Sequence, residues 1–184
     1  MDINLREIQL KDLEQYLYWN NPQRKFHKLN WPYFLQKTEN ELKQYIESLE
    51  KKLINKEDNV LENKKLIVNE YDELIWEVNW YWKSEETLWM EVWIVIFNEE
   101  YWWKWIWYIS LKKWVNEIFT KNPKIIRLWI TTWSWNFWMI NLAEKLWFSK
   151  EAVYRKARIV EWKYFDSISY WILREEWDFN KNNK

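Results

Sequence analysis

One carboxylate stands inside the most apolar run of the chain. Glu91 is the only ionisable residue of Leu88–Phe97, LWMEVWIVIF. A charge in such a run is costly to bury without a partner. Glu91 is therefore either a structural carboxylate bonded to a neighbouring loop or a group kept for acid–base chemistry. Directly after it comes Tyr101–Tyr108, YWWKWIWY, which leads into a helical pattern. The junction of a strand, a loop and a helix start is where backbone N–H groups and the helix dipole hold anions, and Lys104 adds a mobile cation there. Asn136 is placed to cap a later helix. Other chemistries close early. The chain has no Cys, which excludes thiol nucleophiles, disulfides and cysteine zinc sites, and a single His, His27, which excludes a His-rich metal centre. His27 lies in a polar loop and reads as a surface residue.

The elements that must position these groups follow from periodicity. Ile3–Gln9 alternates as a strand, and Asp12 heads a short helix to Trp19. Asn20–Pro32 is loop. Thr38 with Glu41 forms a capping box ahead of Leu42, Tyr45, Ile46, Leu49 and Leu53, the apolar stripe of a helix to Asn55. Lys65–Asn69, Leu74–Trp82 and Leu88–Phe97 read as strands, with the aromatic-rich Trp76–Trp82 stretch as strand core. A connection over Asn98–Trp107 precedes a helix to Thr120, which Pro123 ends. Ile125–Thr132 is a buried strand and Asn136–Leu146 a helix. Phe148–Val160 and Tyr164–Arg174 form a hairpin about Glu161-Trp162-Lys163. This order predicts one mixed α/β domain over 1–177, with a mostly antiparallel sheet of six or seven strands flanked by helices. A polar tail, 178–184, is expected to fray.

Composition bounds the class. The chain has 184 residues, 48% hydrophobic and 30% charged, which suits one globular domain and excludes disorder. Its 28 basic and 28 acidic residues leave no global footprint for nucleic acid or an anionic membrane. The charged N-terminus lacks the apolar core of a signal peptide, and the longest apolar run is too short to span a bilayer, so a cytoplasmic protein without membrane partners is expected.

Ordinary usage of about 7% would put roughly 13 glycines in this length. There are none, and there are 20 Trp. The tryptophans fall at telling places. Trp103, Trp105 and Trp107 crowd the strand-to-helix loop, Trp147 follows a helix end, Trp162 sits at a hairpin tip and Trp31 precedes a proline in a loop. Helix ends and hairpin tips call for left-handed backbone that favours Gly. Many Trp letters thus stand where Gly belongs, either because one codon is Gly in one genetic code and Trp in another or because Gly was deliberately replaced by Trp. Trp19, Trp82, Trp89, Trp102, Trp114, Trp133 and Trp177 read as true tryptophans, and Trp80 and Trp138 are undecided.

With Gly at those places, Tyr101–Tyr108 becomes YWGKGIGY. It then resembles the acetyl-CoA pyrophosphate loop of the GNAT acetyltransferases, Q/R-x-x-G-x-G/A. Leu88–Phe97 is similar to the family's fourth strand, Ile130–Phe148 to its fifth strand and following helix, and Glu161–Trp177 to the closing hairpin of the RimJ/RimL branch, which acetylates ribosomal-protein alanines. The resemblance spans nearly the whole chain. It implies acetyl-CoA as co-substrate, no metal, and contacts to it from Ile94, Val95, Ile96, Trp102, Trp103, Lys104, Trp105, Ile106, Trp107, Tyr108 and, at the pantetheine arm, Asn136. It implies Glu91 as the base near the acceptor amine and Asp166 as an acidic residue of the acceptor pocket, although a cross-strand salt bridge also suits Asp166. The Tyr or Ser general acid that many relatives carry after Asn136 is missing, since Met139 and Ala143 stand there. Either Tyr164, Tyr170 or Tyr154 stands in, or the thiolate leaves without a protein acid.

The function expected is acetyl transfer from acetyl-CoA to a primary amine, on a protein N-terminus or a small molecule. Two alternatives stay open: a Trp-rich module that stacks ligands on exposed indoles, and a degenerate acetyl-CoA-binding domain without turnover. A homodimer through the hairpin and first helices is a candidate assembly.

Overall fold

In the computed structural model, the residues described are 2–24, 27, 32, 35, 37–58, 60–96 and 105–182. Seven strands form one sheet in the order β1-β2-β3-β4-β5-β7-β6, with five α-helices among the described residues. They are β1 (Ile3–Arg6), α1 (Leu13–Asn20), α2 (Glu39–Ile54), β2 (Lys64–Asn69), β3 (Leu74–Ser84), β4 (Trp89–Ile96), α3 (Ile106–Lys121), β5 (Arg127–Trp133), α4 (Phe137–Lys145), β6 (Ser149–Val160), β7 (Lys163–Leu173) and α5 (Arg174–Asn182). This is the mixed, mostly antiparallel sheet the patterning predicts. The chain divides into two compact units, one of residues 1–79 and 94–106, the other of 80–93 and 107–184.

In the first unit β1 and β3 flank β2 in antiparallel ladders. The strand expected to reach Gln9 ends at Arg6, because the chain turns out of the ladder onto Asp12. The Asp12 carboxylate accepts from Gln9 N at 2.7 Å and from both terminal nitrogens of Arg6. Thr38 and Glu41 cap α2 reciprocally as their spacing predicts, with Glu41 N donating to Thr38 Oγ1 at 3.2 Å and Thr38 N to Glu41 Oε2 at 2.7 Å. Leu42 and Leu49 of that helix are buried, as are Leu66, Ile67, Ile75, Trp76 and Val78 of the strands. Glu77 is buried too, paired with Lys64 Nζ at 3.0 Å and bonded by the Tyr16 hydroxyl at 2.7 Å. Burial, with the Glu77 charge beside it, holds the Tyr16 phenol well above its usual value. His27 is half-buried rather than a surface residue, and burial lowers its pKa.

In the second unit β4 runs parallel to β5, with Met90 opposite Leu128 and Glu91 opposite Trp129. β5 pairs antiparallel with β7, and β7 with β6. Alternation sends Met90, Val92, Leu128, Ile130, Ile168, Tyr170 and Ile172 to one buried face. Two turns demand left-handed backbone. α4 ends in a Schellman motif, with Phe148 N bonded to Ala143 O and Trp147 N to Glu144 O, which places Trp147 at φ 64. The β6–β7 hairpin has the two-residue loop Glu161-Trp162 with φ of 47 and 63, the geometry for which Asn-Gly is the usual sequence. Asp178–Asn182, expected to fray, continues α5 instead. That helix is anchored by the buried Trp177 and by the Arg174 guanidinium, which donates to the carbonyls of Phe119, Asn122 and Ile125.

Candidate active site

Glu91 sits on the half-buried face of the second unit, on the register line that joins it to Trp129 and Trp171. It is only 2% exposed. Both carboxylate oxygens are engaged. The Tyr81 hydroxyl of β3 donates to Oε2, and Thr131 Oγ1 of β5 donates to Oε1 at 2.7 Å. Lys83 Nζ lies 3.6 Å from Oε1 on a side chain that is 43% exposed. Behind Thr131, the Ser169 hydroxyl of β7 is 3.5 Å away. Local sequence builds this arrangement. A turn closed by Leu88 N on Glu85 O folds β3 back toward β4, and strand alternation puts Tyr81 and Lys83 on one face. The carboxylate is thus an acceptor held by two neutral donors, with a flexible cation at its edge. The expected bond to a neighbouring loop is replaced by bonds to strands.

The other predicted site residues fall in separate places. Ile94 and Val95 are buried in β4, and Ile96 ends that strand. Trp102, Trp103 and Lys104 lie outside the described residues. Trp105 is 63% exposed, Ile106 is buried at the start of α3, and Trp107 and Tyr108 are half-buried in its first turn. Lys145 Nζ lies 5.5 Å from the Trp107 ring. Asn136 caps α4, its side-chain oxygen accepting from Met139 N at 3.1 Å.

Asp166 is held at the far end of the hairpin. Its carboxylate accepts from Lys156 N at 2.8 Å, on a β6 bulge where Lys156 has φ 56, and its own amide donates to Ser134 Oγ at 3.1 Å. Tyr164 is exposed and seven residues along β7 from Trp171, about 23 Å of strand at roughly 3.3 Å per residue. The structure therefore does not bring Asp166 and Tyr164 to Glu91. Among the stand-in acids, Tyr154 is exposed. Tyr170 is buried and donates to Glu144 at 3.0 Å; burial first, then that carboxylate, push its phenol well up. Tyr81 and Thr131 escaped the sequence reading. The signal for Tyr81 was the turn that folds β3 back toward β4; Thr131 had none, because its contact depends on the register of a parallel pair far apart in sequence.

No family model matches this sequence, and no curated protein matches it. Solved structures do. The chain is similar to spermidine N-acetyltransferase from Vibrio cholerae, whose structure holds CoA and spermine, at TM-score 0.74 and 18% identity, over 95% of this chain and 97% of that one. It is also similar to a GNAT-family acetyltransferase from Bacillus anthracis, at TM-score 0.71 and 17% identity, over 96% and 97%. A further similar structure is a probable acetyltransferase, at TM-score 0.71 and 18% identity, over 95% and 94%. The fold of this chain is the GNAT acetyltransferase fold. Among the described residues no group of three or more His, Asp or Glu is gathered to hold a metal ion, and no helix is long and apolar enough to cross a membrane.

Proposed function

We propose that this chain is an acetyl-CoA-dependent N-acetyltransferase acting on a primary amine, with Glu91 as the base. The observation that carries this reading is a buried carboxylate on the β4 strand of a GNAT fold, hydrogen-bonded by two hydroxyls, with its one cation, Lys83, half-exposed at 3.6 Å. Acetyl-CoA supplies an acyl group activated as a thioester. Glu91 removes the proton that the acceptor ammonium must lose to become a nucleophile. The free amine then attacks the thioester carbonyl, the C–N bond forms as the C–S bond breaks, and CoA leaves as a thiolate that takes its proton from solvent. The N-terminal turn of α3 offers the co-substrate backbone N–H groups and a favourable dipole. We assign Ile94, Val95, Ile96, residues 102–108 and Asn136 to that binding function, within a domain that runs at least through the buried Trp177. Asp166 and Tyr164 are better suited to shaping the hairpin than to proton transfer. Glu91→Gln is the test: kcat/KM should fall by roughly 10²–10⁴-fold, with acetyl-CoA affinity little changed. Undiminished turnover would return Glu91 to a structural role.

Two resemblances favour different acceptors. The closing hairpin points to the RimJ/RimL branch and a protein N-terminus, whereas the spermine held in the Vibrio cholerae structure favours a polyamine. Turnover of an alanine-headed peptide against spermidine under one set of conditions separates them.

We infer further that Gly, not Trp, occupies many of the Trp positions in the native protein. Three features support this. Trp147 and Trp162 adopt φ of 64 and 63, where a β-carbon is strained. Of the positions read as true tryptophans, Trp114, Trp133 and Trp177 fill the core. Of the loop and turn positions read as Gly, the described ones (Trp105, Trp107, Trp147 and Trp162) include none that is buried. Indoles at Trp105 and Trp107 would also crowd the start of α3, where glycines would leave the backbone N–H groups open to a co-substrate. The mass of the protein from its own host decides the matter. A mass requiring 20 tryptophans ends this inference.

A further inference from the structure

We propose that Tyr81 is a positioning residue for Glu91, acting with Thr131 as a two-sided clamp. The proposal rests on the reading of Glu91 as the base. A carboxylate has about four lone-pair directions. Tyr81 takes one at Oε2 and Thr131 one at Oε1. The two donors come from strands on opposite sides of β4, so the carboxylate can neither swing along the sheet nor rotate about its terminal bond without losing one of them. Hydroxyl donation also fixes the proton's place. Each hydrogen stays on its hydroxyl, and Glu91 is left as the acceptor that an ammonium or its water can approach. Ser169 stands 3.5 Å behind Thr131 and can orient that hydroxyl in turn. The titratable or polar groups facing Glu91 are Tyr81 and Lys83 from β3 and Thr131 from β5, with Ser169 of β7 one step removed. None of the clamp residues is a Trp, so the clamp is the same in either reading of the Trp positions.

The chemistry gives Tyr81 no acid–base step of its own. Its phenol is spent on Glu91, and its effect should therefore vanish when Glu91 can no longer act. The test is a double-mutant cycle in the glycine-containing full chain, with kcat and the KM for acetyl-CoA measured separately. Tyr81→Phe removes a hydrogen bond to a charged group and should lower kcat by about 10–100-fold, with the KM for acetyl-CoA unchanged. In the Glu91→Gln background the same substitution should change kcat less than about twofold, because coupled residues are not additive. Thr131→Val should behave alike and Thr131→Ser should restore activity, which keeps the test open if Tyr81→Phe folds poorly. Additive losses in the cycle, or full kcat in both Tyr81→Phe and Thr131→Val, overturn the clamp. Full activity in Glu91→Gln alone overturns the base reading instead, so the two failures are distinguishable.

Discussion

At Trp162 the usual ranking of Ala above Gly should invert. The loop residue has φ 63, and its side chain is 94% exposed. Removing the ring therefore costs little. The buried 6% of a side chain offering about 250 Å² is about 15 Å², worth about 0.4 kcal/mol at about 25 cal/mol per Å². Trp162→Ala and Trp162→Gly lose that same small term, so their difference isolates the backbone. Alanine keeps a β-carbon in the left-handed region at a cost of about 1–2 kcal/mol. Glycine escapes that cost but gives back about 0.4–1 kcal/mol through the freedom of its unfolded chain. The glycine variant should thus be the more stable by about 1 kcal/mol, a Tm difference of roughly 2–4 °C in a chain of this size. At an ordinary position alanine wins by about 0.5–1 kcal/mol. Urea midpoints at equal slope, with thermal melts beside them, read the difference. The same pair of substitutions at Trp147 (φ 64) should give the same sign, although there both variants forfeit the ring contact with Trp177 at 5.5 Å. An alanine variant at 162 as stable as the glycine one would refute the left-handed argument.

Calorimetry should find acetyl-CoA bound by the glycine-containing chain in the micromolar range and not at millimolar concentration by the Trp form, because losing even about 4 kcal/mol weakens binding roughly a thousandfold. Lys64→Met should cost about 3 kcal/mol in urea unfolding, since it leaves the buried Glu77 charge without its cation. Lys11 and Arg6 hold the exposed Asp72 carboxyl below its usual range. Its contribution to stability should be present at neutral pH and fade as pH falls below about 4. Asp72→Asn tolerates the residue's left-handed φ of 63, so its urea midpoint should lie below that of the parent chain at pH 7 and merge with it near about pH 2.

Local chemistry was legible where one short segment decides the outcome. Thr38 and Glu41 announced their cap, Asn136 its helix start, and Trp147 and Trp162 their left-handed turns, because each depends on residues within a few positions. That Glu91 would be a buried carboxylate in need of partners was legible from the apolar run around it. Its partners were not, since Thr131 is 40 residues away and Tyr81 needed the register of a hairpin. Asp166 misled for a related reason. Nothing near it in sequence announces the bulge at Lys156, whose amide takes its carboxylate. Helix α5 was missed because its polar composition hides two anchors, the Trp177 ring and the Arg174 guanidinium.

Two buried glutamates in this chain show why burial by itself does not mark a base. Glu77 has a lysine ammonium at 3.0 Å and a tyrosine hydroxyl at 2.7 Å. Its charge is cancelled within hydrogen-bond distance, and an incoming cation would have to displace Lys64 to gain anything. Glu91 has instead two hydroxyls, which satisfy its oxygens without cancelling its charge, and a half-exposed lysine no nearer than 3.6 Å. Hydroxyls orient a carboxylate, and a close ammonium neutralises it. An amine that arrives as an ammonium is attracted to the first kind of site and finds the second already filled. Lys83 is half-exposed and can swing to solvent while Tyr81 and Thr131 keep both carboxylate oxygens hydrogen-bonded. The difference between the two glutamates is therefore one of unspent charge, and it is the reason the proposed base is Glu91 rather than Glu77.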